Sequence, residues 1–250
     1  MNTEHRQDGD GVRHIRLNRP EKRNALDLGS YRWLREQLRS AIEDPGVRSI
    51  AFSAEGSDFC AGNDLADFLA GPELGPGHPI IELLHALADC PKPLLAGVQG
   101  NAVGIGATLL LHMDLVLLAE DARLSFPFVD LGLVPEFASS LLLPRRLGHV
   151  RACQLLLLGD SLDAATARDW GLANQLVATT ELPARLEETA RRLAAKPTRA
   201  LLASKALLKA PEQALLHRTI DQEIEVFRQA LAGDEARGRI AALLARIGGR

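Results

Sequence analysis

Aromatic side chains are scarce: seven Phe, two Trp and one Tyr in 250 residues. A core must therefore be built from Leu, Ala, Val and Ile, and the stacking platforms that single-stranded nucleic acids need are missing. A positive charge excess is missing too. Lys and Arg number 29 against 32 Asp and Glu, a formal net charge of -3, which argues against binding a phosphate backbone. Cysteine is limited to Cys60, Cys90 and Cys153, too few and too widely spaced for a disulfide framework or a cysteine-based zinc site. That usage points to a reducing compartment, with cytoplasm the expected location. The opening residues MNTEHRQDGDGVRHIRL hold no apolar stretch of the kind a secretory signal requires. No run of about 20 clean apolar residues is present to span a membrane, since the most apolar region, Leu94 to Ala119, is broken by Gln99, Asn101, His112, Asp114 and four glycines. Phosphate-loop, GxSxG, HExxH and CxxC motifs are absent. The seven histidines do not pair at ligand spacing, so no metal site is expected.

What is present suits one large domain, or one domain with an appendage. Gly11 to Leu17 alternates apolar and polar residues as a strand does, and NRPEKRNALD ends it with turn formers. Asp27 can cap a helix running to Glu43. Val47 to Ser53 is a second strand, followed by the loop AEGSDFCAGND, a helix over Ile80 to Ala88 and a buried strand, LLAGV. The loop QGNAVGIG then opens an apolar helix, Ala107 to His112, before another buried strand, DLVLLAE. Alternation of strands and helices predicts a largely parallel sheet with crossover helices. After Pro144 helical segments follow one another, interrupted only by strand-like Asn174 to Val177. In the last fifth, Leu215, Ile220, Ile224 and Phe227 recur near helical spacing, an apolar face to be covered by its own domain or by a neighbouring subunit. The Gly- and Pro-rich segment from Leu65 to His78 is expected to be mobile.

Two loops could carry chemistry. Gly100, Gly104 and Gly106 miss the dinucleotide fingerprint, because the position three beyond Gly106 is Leu109. They can still expose backbone N–H groups at a helix start, or simply allow a strand and a helix to pack closely. The loop DFCAGND places Asn63 and Asp64 at the start of another short helix, either as an ordinary Asx-capped turn or as a second N–H donor for an oxyanion hole. His112 reads as a satisfied core histidine.

LNRPEKRNALD, SDFCAGNDLADF, KPLLAGVQGNAVGIGATLL, MDLVLLAEDARLSFPFVDLGLVPEFASSLLLPRRLG and DAATARDWGLANQLV together resemble the crotonase superfamily of acyl-CoA enzymes, in its order and spacing, from about residue 11 to residue 178. The resemblance implies an α/β fold of β-β-α units in a spiral, a core over residues 1–195 and a helical trimerisation region over 196–250. It implies a homotrimer or homohexamer, a coenzyme A thioester as substrate and no bound cofactor. The superfamily stabilises a thioester enolate with two backbone N–H groups, which by motif position are those of Asn63 and Ile105. Lys22 and Arg23 fall in the region that contacts the CoA phosphates, and Ala61 and Asp64 are further candidates for CoA contact.

The superfamily's hydratases carry two glutamates, at positions held here by Thr108 and Phe128. Neither can act as a carboxylate acid or base, and hydration needs both roles filled. A carboxylate does occur eight residues beyond Phe128, at Glu136 in LGLVPEF. There the chain resembles the peroxisomal-type delta-3, delta-2-enoyl-CoA isomerases, whose single catalytic glutamate occupies the matching place. Without the resemblance, Glu136 reads as a first-turn helix acid after Pro135. Asp130 is a weaker carboxylate candidate in the same loop, and Asp64 and Asp67 read as a cap and a solvated helix face. Phe126, Phe128 and Phe137 are expected to keep the surroundings of Glu136 dry. Hydration, another enolate reaction, or silent acyl-CoA binding are the alternatives to isomerisation.

Overall fold

A computed structural model describes residues 3–7, 9–69, 74–75 and 77–248. Residues 70–73 and 76, where mobility is expected, lie outside the described residues. Strands β1 (Thr3–Gln7) and β2 (Val12–Leu17) form an antiparallel hairpin and lead into helix α1 (Leu28–Glu43) and β3 (Ser49–Ala54). Next come α2 (Leu65–Leu69), α3 (Pro79–Asp89), β4 (Leu94–Val98), β5 (Asn101–Val103), α4 (Ile105–Thr108), β6 (Leu115–Ala119) and β7 (Arg123–Ser125). The remainder is α5 (Ser139–Leu147), α6 (His149–Leu157), β8 (Leu162–Asp163), α7 (Ala164–Asp169), β9 (Gln175–Val177), α8 (Leu182–Ala194), α9 (Thr198–Lys209), α10 (Gln213–Ala232) and α11 (Asp234–Gly248).

A six-stranded sheet in the order β1-β2-β3-β4-β6-β9 is parallel apart from the β1–β2 pair, and a second sheet holds β5-β7-β8. The chain alternates between them. From β4 it crosses to β5 and then α4; from β6 it crosses to β7 and, after a short 3-10 turn, α5. Ahead of these, β3 is followed by Cys60, which bridges Ala102 of β5, and then α2. Repeated β-β-α units of this kind are the expected spiral.

Period-two alternation decides which residues face which layer. Ile50 and Phe52 of β3, with Leu94, Ala96 and Val98 of β4, point into the main core against α1 and α3. Ala51 and Leu95 point the other way, onto Leu186, Ala190 and Ala194 of α8. With both faces covered, β4 is a continuous apolar run. The side chain of Asp27 accepts from Ser30 N at 2.7 Å and caps α1, which buries Tyr31, Leu34, Leu38 and Ala41.

Several elements differ from expectation. The apolar helix begins two residues early, at Ile105, and turns 3-10 over Leu109–His112. The strands β1, β5, β7 and β8 are additional. Of the apolar face in the last fifth, Ile220 and Phe227 of α10 are buried in their own chain, where Leu216 rather than Leu215 joins them. The most exposed large apolar side chains lie elsewhere, at Val150 and Leu157 of α6, at the adjoining Leu158, and at Leu207 and Leu208 of α9. Among the described residues, no helix is long and apolar enough to cross a membrane.

Candidate active site

The two glycine-bearing loops are laid side by side. Cys60 N donates to Asn101 O at 3.0 Å and Val103 N donates to Cys60 O at 2.9 Å. Asp58 tightens the join, accepting from Asn101 N at 3.0 Å and from Asn101 Nδ2 at 2.5 Å. Glycine is required by the contact itself: a Cβ on Gly106 would lie 2.7 Å from both Cβ and O of Cys60. At the turn into α4, Gly104 adopts φ 55°, which an L side chain rarely tolerates. Close packing and N–H display are thus achieved together. Among the described residues, neither Asn63 N–H nor Ile105 N–H has an acceptor, while their neighbours are engaged: Ala61 N with Arg23 O, Asp64 N with Leu26 O, and Ala107 N with Gly104 O.

Glu136 lies beyond the second loop. It is not a first-turn helix acid, because α5 starts three residues later, at Ser139. Phe137 and Ala138 intervene at φ 56° and 55°, left-handed backbone that costs about 1–2 kcal/mol per side-chain-bearing residue. The carboxyl is buried, and Oε1 has no hydrogen-bond partner among the described residues. Burial, followed by the charge of Glu223, pushes Glu136 up to about 8. Glu136 in turn helps to raise Tyr31 and Cys60, for which burial is the larger cause.

Tyr31 donates its hydroxyl to Asn63 Oδ1 at 2.5 Å, and both line a narrow cleft with Leu26, Phe68 and Ile80. Phe126, Phe128 and Phe137 are buried, and the Phe128 ring comes within 4.0 Å of the Cβ position of Gly104. His112 is a satisfied core histidine: Nε2 donates to Phe137 O at 2.9 Å, the two rings stack, and burial holds the imidazole down to about 3.

The other candidates differ in burial and in partners. Thr108 and Phe128 are buried. Asp130 is exposed, and a Cβ on Gly159 would lie 2.6 Å from its Oδ2. Asp64 accepts from Ala66 N at 3.3 Å and pairs with Arg19 at 3.6 Å, as a cap does. Asp67 is not a solvated face, since its carboxylate accepts from Leu28 N at 3.0 Å and ties α2 to the start of α1. Lys22 and Arg23 are exposed, with Arg23 Nε 4.0 Å from Asp58.

Sequence reasoning missed Tyr31, Asp58 and Glu223. A signal existed for two of them. Tyr31 is the sole tyrosine, and Glu223 interrupts the buried stripe Leu216, Ile220, Phe227 and Leu231 of α10.

Successive β-β-α turns closed by a helical C-terminal region put the molecule in the crotonase fold class of enzymes. Within that class the chain belongs to the enoyl-CoA hydratase/isomerase family, whose model matches residues 7–244. It is 35% identical over 244 residues to 1,2-epoxyphenylacetyl-CoA isomerase of Escherichia coli (strain K12), covering 94% of this chain and 93% of that protein. It is 30% identical over 244 residues to enoyl-CoA delta isomerase 2 of Homo sapiens, covering 95% of this chain and 62% of that protein. The solved structure of Pseudomonas aeruginosa OdaA superposes with a TM-score of 0.93 at 40% identity, over 97% of this chain and 98% of that one.

Proposed function

We propose that the protein isomerises a 3-enoyl-CoA thioester to the conjugated 2-enoyl thioester, with Glu136 as the single proton shuttle. The observation that carries this reading is a buried carboxyl with an unpartnered oxygen and a raised pKa, beside two loops whose Asn63 and Ile105 N–H groups have no acceptor among the described residues. The thioester oxygen accepts from these two N–H groups. Glu136 removes a proton from C2, which the carbonyl and the C3–C4 double bond both acidify. Electrons of the broken C–H bond spread over a dienolate whose oxygen charge the N–H pair stabilises. Glu136 then returns the proton to C4, and the double bond settles between C2 and C3. Hydration would need a second carboxylate, and Thr108 and Phe128 supply none. The exposed cations of Lys22 and Arg23 suit CoA phosphates, and the carbonyl of Ala61 is left for a CoA contact because its N–H is spent on Arg23. Asp64 contributes as the cap of α2, its carboxylate being spent on Ala66 N and Arg19.

A second reading draws on the relative matched over 93% of its length, a 1,2-epoxyphenylacetyl-CoA isomerase. With its pKa near 8, Glu136 is mostly protonated at neutral pH and could donate to an epoxide oxygen on an aryl-acetyl thioester. Assembly belongs to the proposal as well: the exposed leucines of α6 and α9 are suited to contacts in a homotrimer or homohexamer.

Purified protein assayed against 3-enoyl, 2-enoyl and 1,2-epoxyaryl-acetyl CoA thioesters of varied size tests the reading. Conjugated 2-enoyl product from the 3-enoyl substrate is expected. Hydration of the 2-enoyl thioester as the main turnover would make it a hydratase, and binding without any turnover would make it an acyl-CoA-binding protein.

A further inference from the structure

Glu136 is carried by a turn that the rest of the chain has to hold in place. Phe137 and Ala138, both left-handed, follow it, and α5 then begins with no capping side chain from its own N-cap residue. What closes the turn arrives from 85 residues further along. Glu223 on α10 accepts from Ala138 N at 2.5 Å through Oε2, and from Ser140 N at 2.9 Å and Ser140 Oγ at 2.5 Å through Oε1. Three charge-assisted bonds satisfy this buried carboxylate. They also consume N–H groups at the start of α5, which would otherwise be natural partners for a nearby anion. Glu136 Oε1 is left with none. One turn along the same face of α10, Phe227 meets Phe68 of α2 edge to face at 5.8 Å, so a single helix braces two parts of the site.

We propose that Glu223 is the positioning residue for Glu136: it locks the left-handed turn that aims Glu136, takes the α5 N–H groups for itself, and sets a second carboxylate close to Glu136. This inference rests on the reading of Glu136 as the proton shuttle. Between two like charges, the proton goes to the carboxyl with the poorer donors, here Glu136. Burial raises Glu223 as well, but its three donors oppose that rise, whereas for Glu136 burial and the Glu223 charge act in the same direction. The other titratable groups around the turn stay neutral near pH 7. Tyr31 from α1 and Cys60 from the loop after β3 are raised by burial, and His112, stacked on Phe137, is held down to about 3. Arg146 of α5 is engaged by Leu111 O.

The test follows the Glu136 carboxyl itself, by difference infrared spectroscopy against Glu136→Gln protein, from about pH 5 to about pH 10. Wild type and Glu223→Gln are compared, with the pH profile of kcat/KM for a 3-enoyl-CoA thioester recorded alongside and thermal unfolding confirming that each variant is folded. In Glu223→Gln the Glu136 midpoint is expected to fall by about one pH unit or more, raising kcat/KM at pH 6, relative to its plateau, by about tenfold. An unmoved midpoint in folded Glu223→Gln, or a loss of kcat with the acid limb unmoved, would reduce Glu223 to a strut and overturn the proposal. A carboxyl midpoint that moves while the kinetic limb does not would support the coupling and overturn the shuttle reading beneath it. Should Glu223→Gln fail to fold, Glu223→Asp keeps the charge but draws it back from the turn. A smaller downward shift is then expected, and an unmoved midpoint again overturns the proposal.

Discussion

A buried carboxyl with an unpartnered oxygen is costly when ionised, and at Glu136 that cost can be read as a dependence of stability on pH. Its folded value near 8 lies above the ordinary 4.5, so between these pH values the native state binds more protons than the unfolded chain, and stability falls as pH rises. Glu136→Gln should therefore stabilise the fold, by little below pH 4.5 and by an amount growing to the order of a few kcal/mol above pH 8. Urea unfolding at pH 5 and at pH 9 checks this, and an equal gain at both would contradict it. His112 works at the other end. Its folded value near 3 lies below the ordinary 6.5, so stability is lost as pH drops below 6.5. His112→Gln, which can still donate to Phe137 O, should flatten that acid-side slope. Residues with roles implied by motif position, Asn63, Ile105 and Glu136, could be named from the sequence alone. Tyr31 and Glu223 stand out in the sequence as a sole tyrosine and a charge in an apolar stripe, but their roles do not, because their partners stand 32 and 85 positions away and only folding brings them together.

Elements long enough to show a period were readable, and short ones were not. The helix from Asp27 to Glu43 was expected where α1 is found, and the run LLAGV is β4. Strands of two or three residues, such as β5, β7 and β8, complete no alternation. The first hairpin has a signal in the doubled Asp-Gly of residues 8–11. Helix α5 was hidden by Pro144 inside it and by the lack of a capping side chain at Ala138. The pairing of the two loops is testable at this scale. Asp58→Ala leaves Asn101 N–H without its acceptor, which should cost roughly 1–3 kcal/mol and lower kcat, as the loop bearing Ile105 is then held to the loop bearing Asn63 by the two Cys60 backbone bonds without the Asp58 tie. A variant with reduced thermal stability but wild-type turnover would show that the tie does not position the loops.

For the whole molecule, the C-terminal helices do more than cover apolar surface. Helix α10 spends its apolar face on its own core and lends Glu223 to the site, so of the two coverings open to this face it is its own domain that supplies the cover. The proposed assembly would instead use Leu157 of α6, the adjoining Leu158, and Leu207 and Leu208 of α9, each more than 60% exposed in the single chain. Light scattering at micromolar concentration should give a trimer or hexamer, and the double substitution Leu207→Glu, Leu208→Glu should shift it toward monomer. A monomeric wild type would contradict this. Central to the account is that one carboxylate moves the proton, and turnover of a 3-enoyl-CoA thioester by wild type and Glu136→Gln tests it most directly. Loss of about 10²-fold or more in kcat, with thioester binding little changed, is the predicted result; near-full isomerase activity in Glu136→Gln would contradict it.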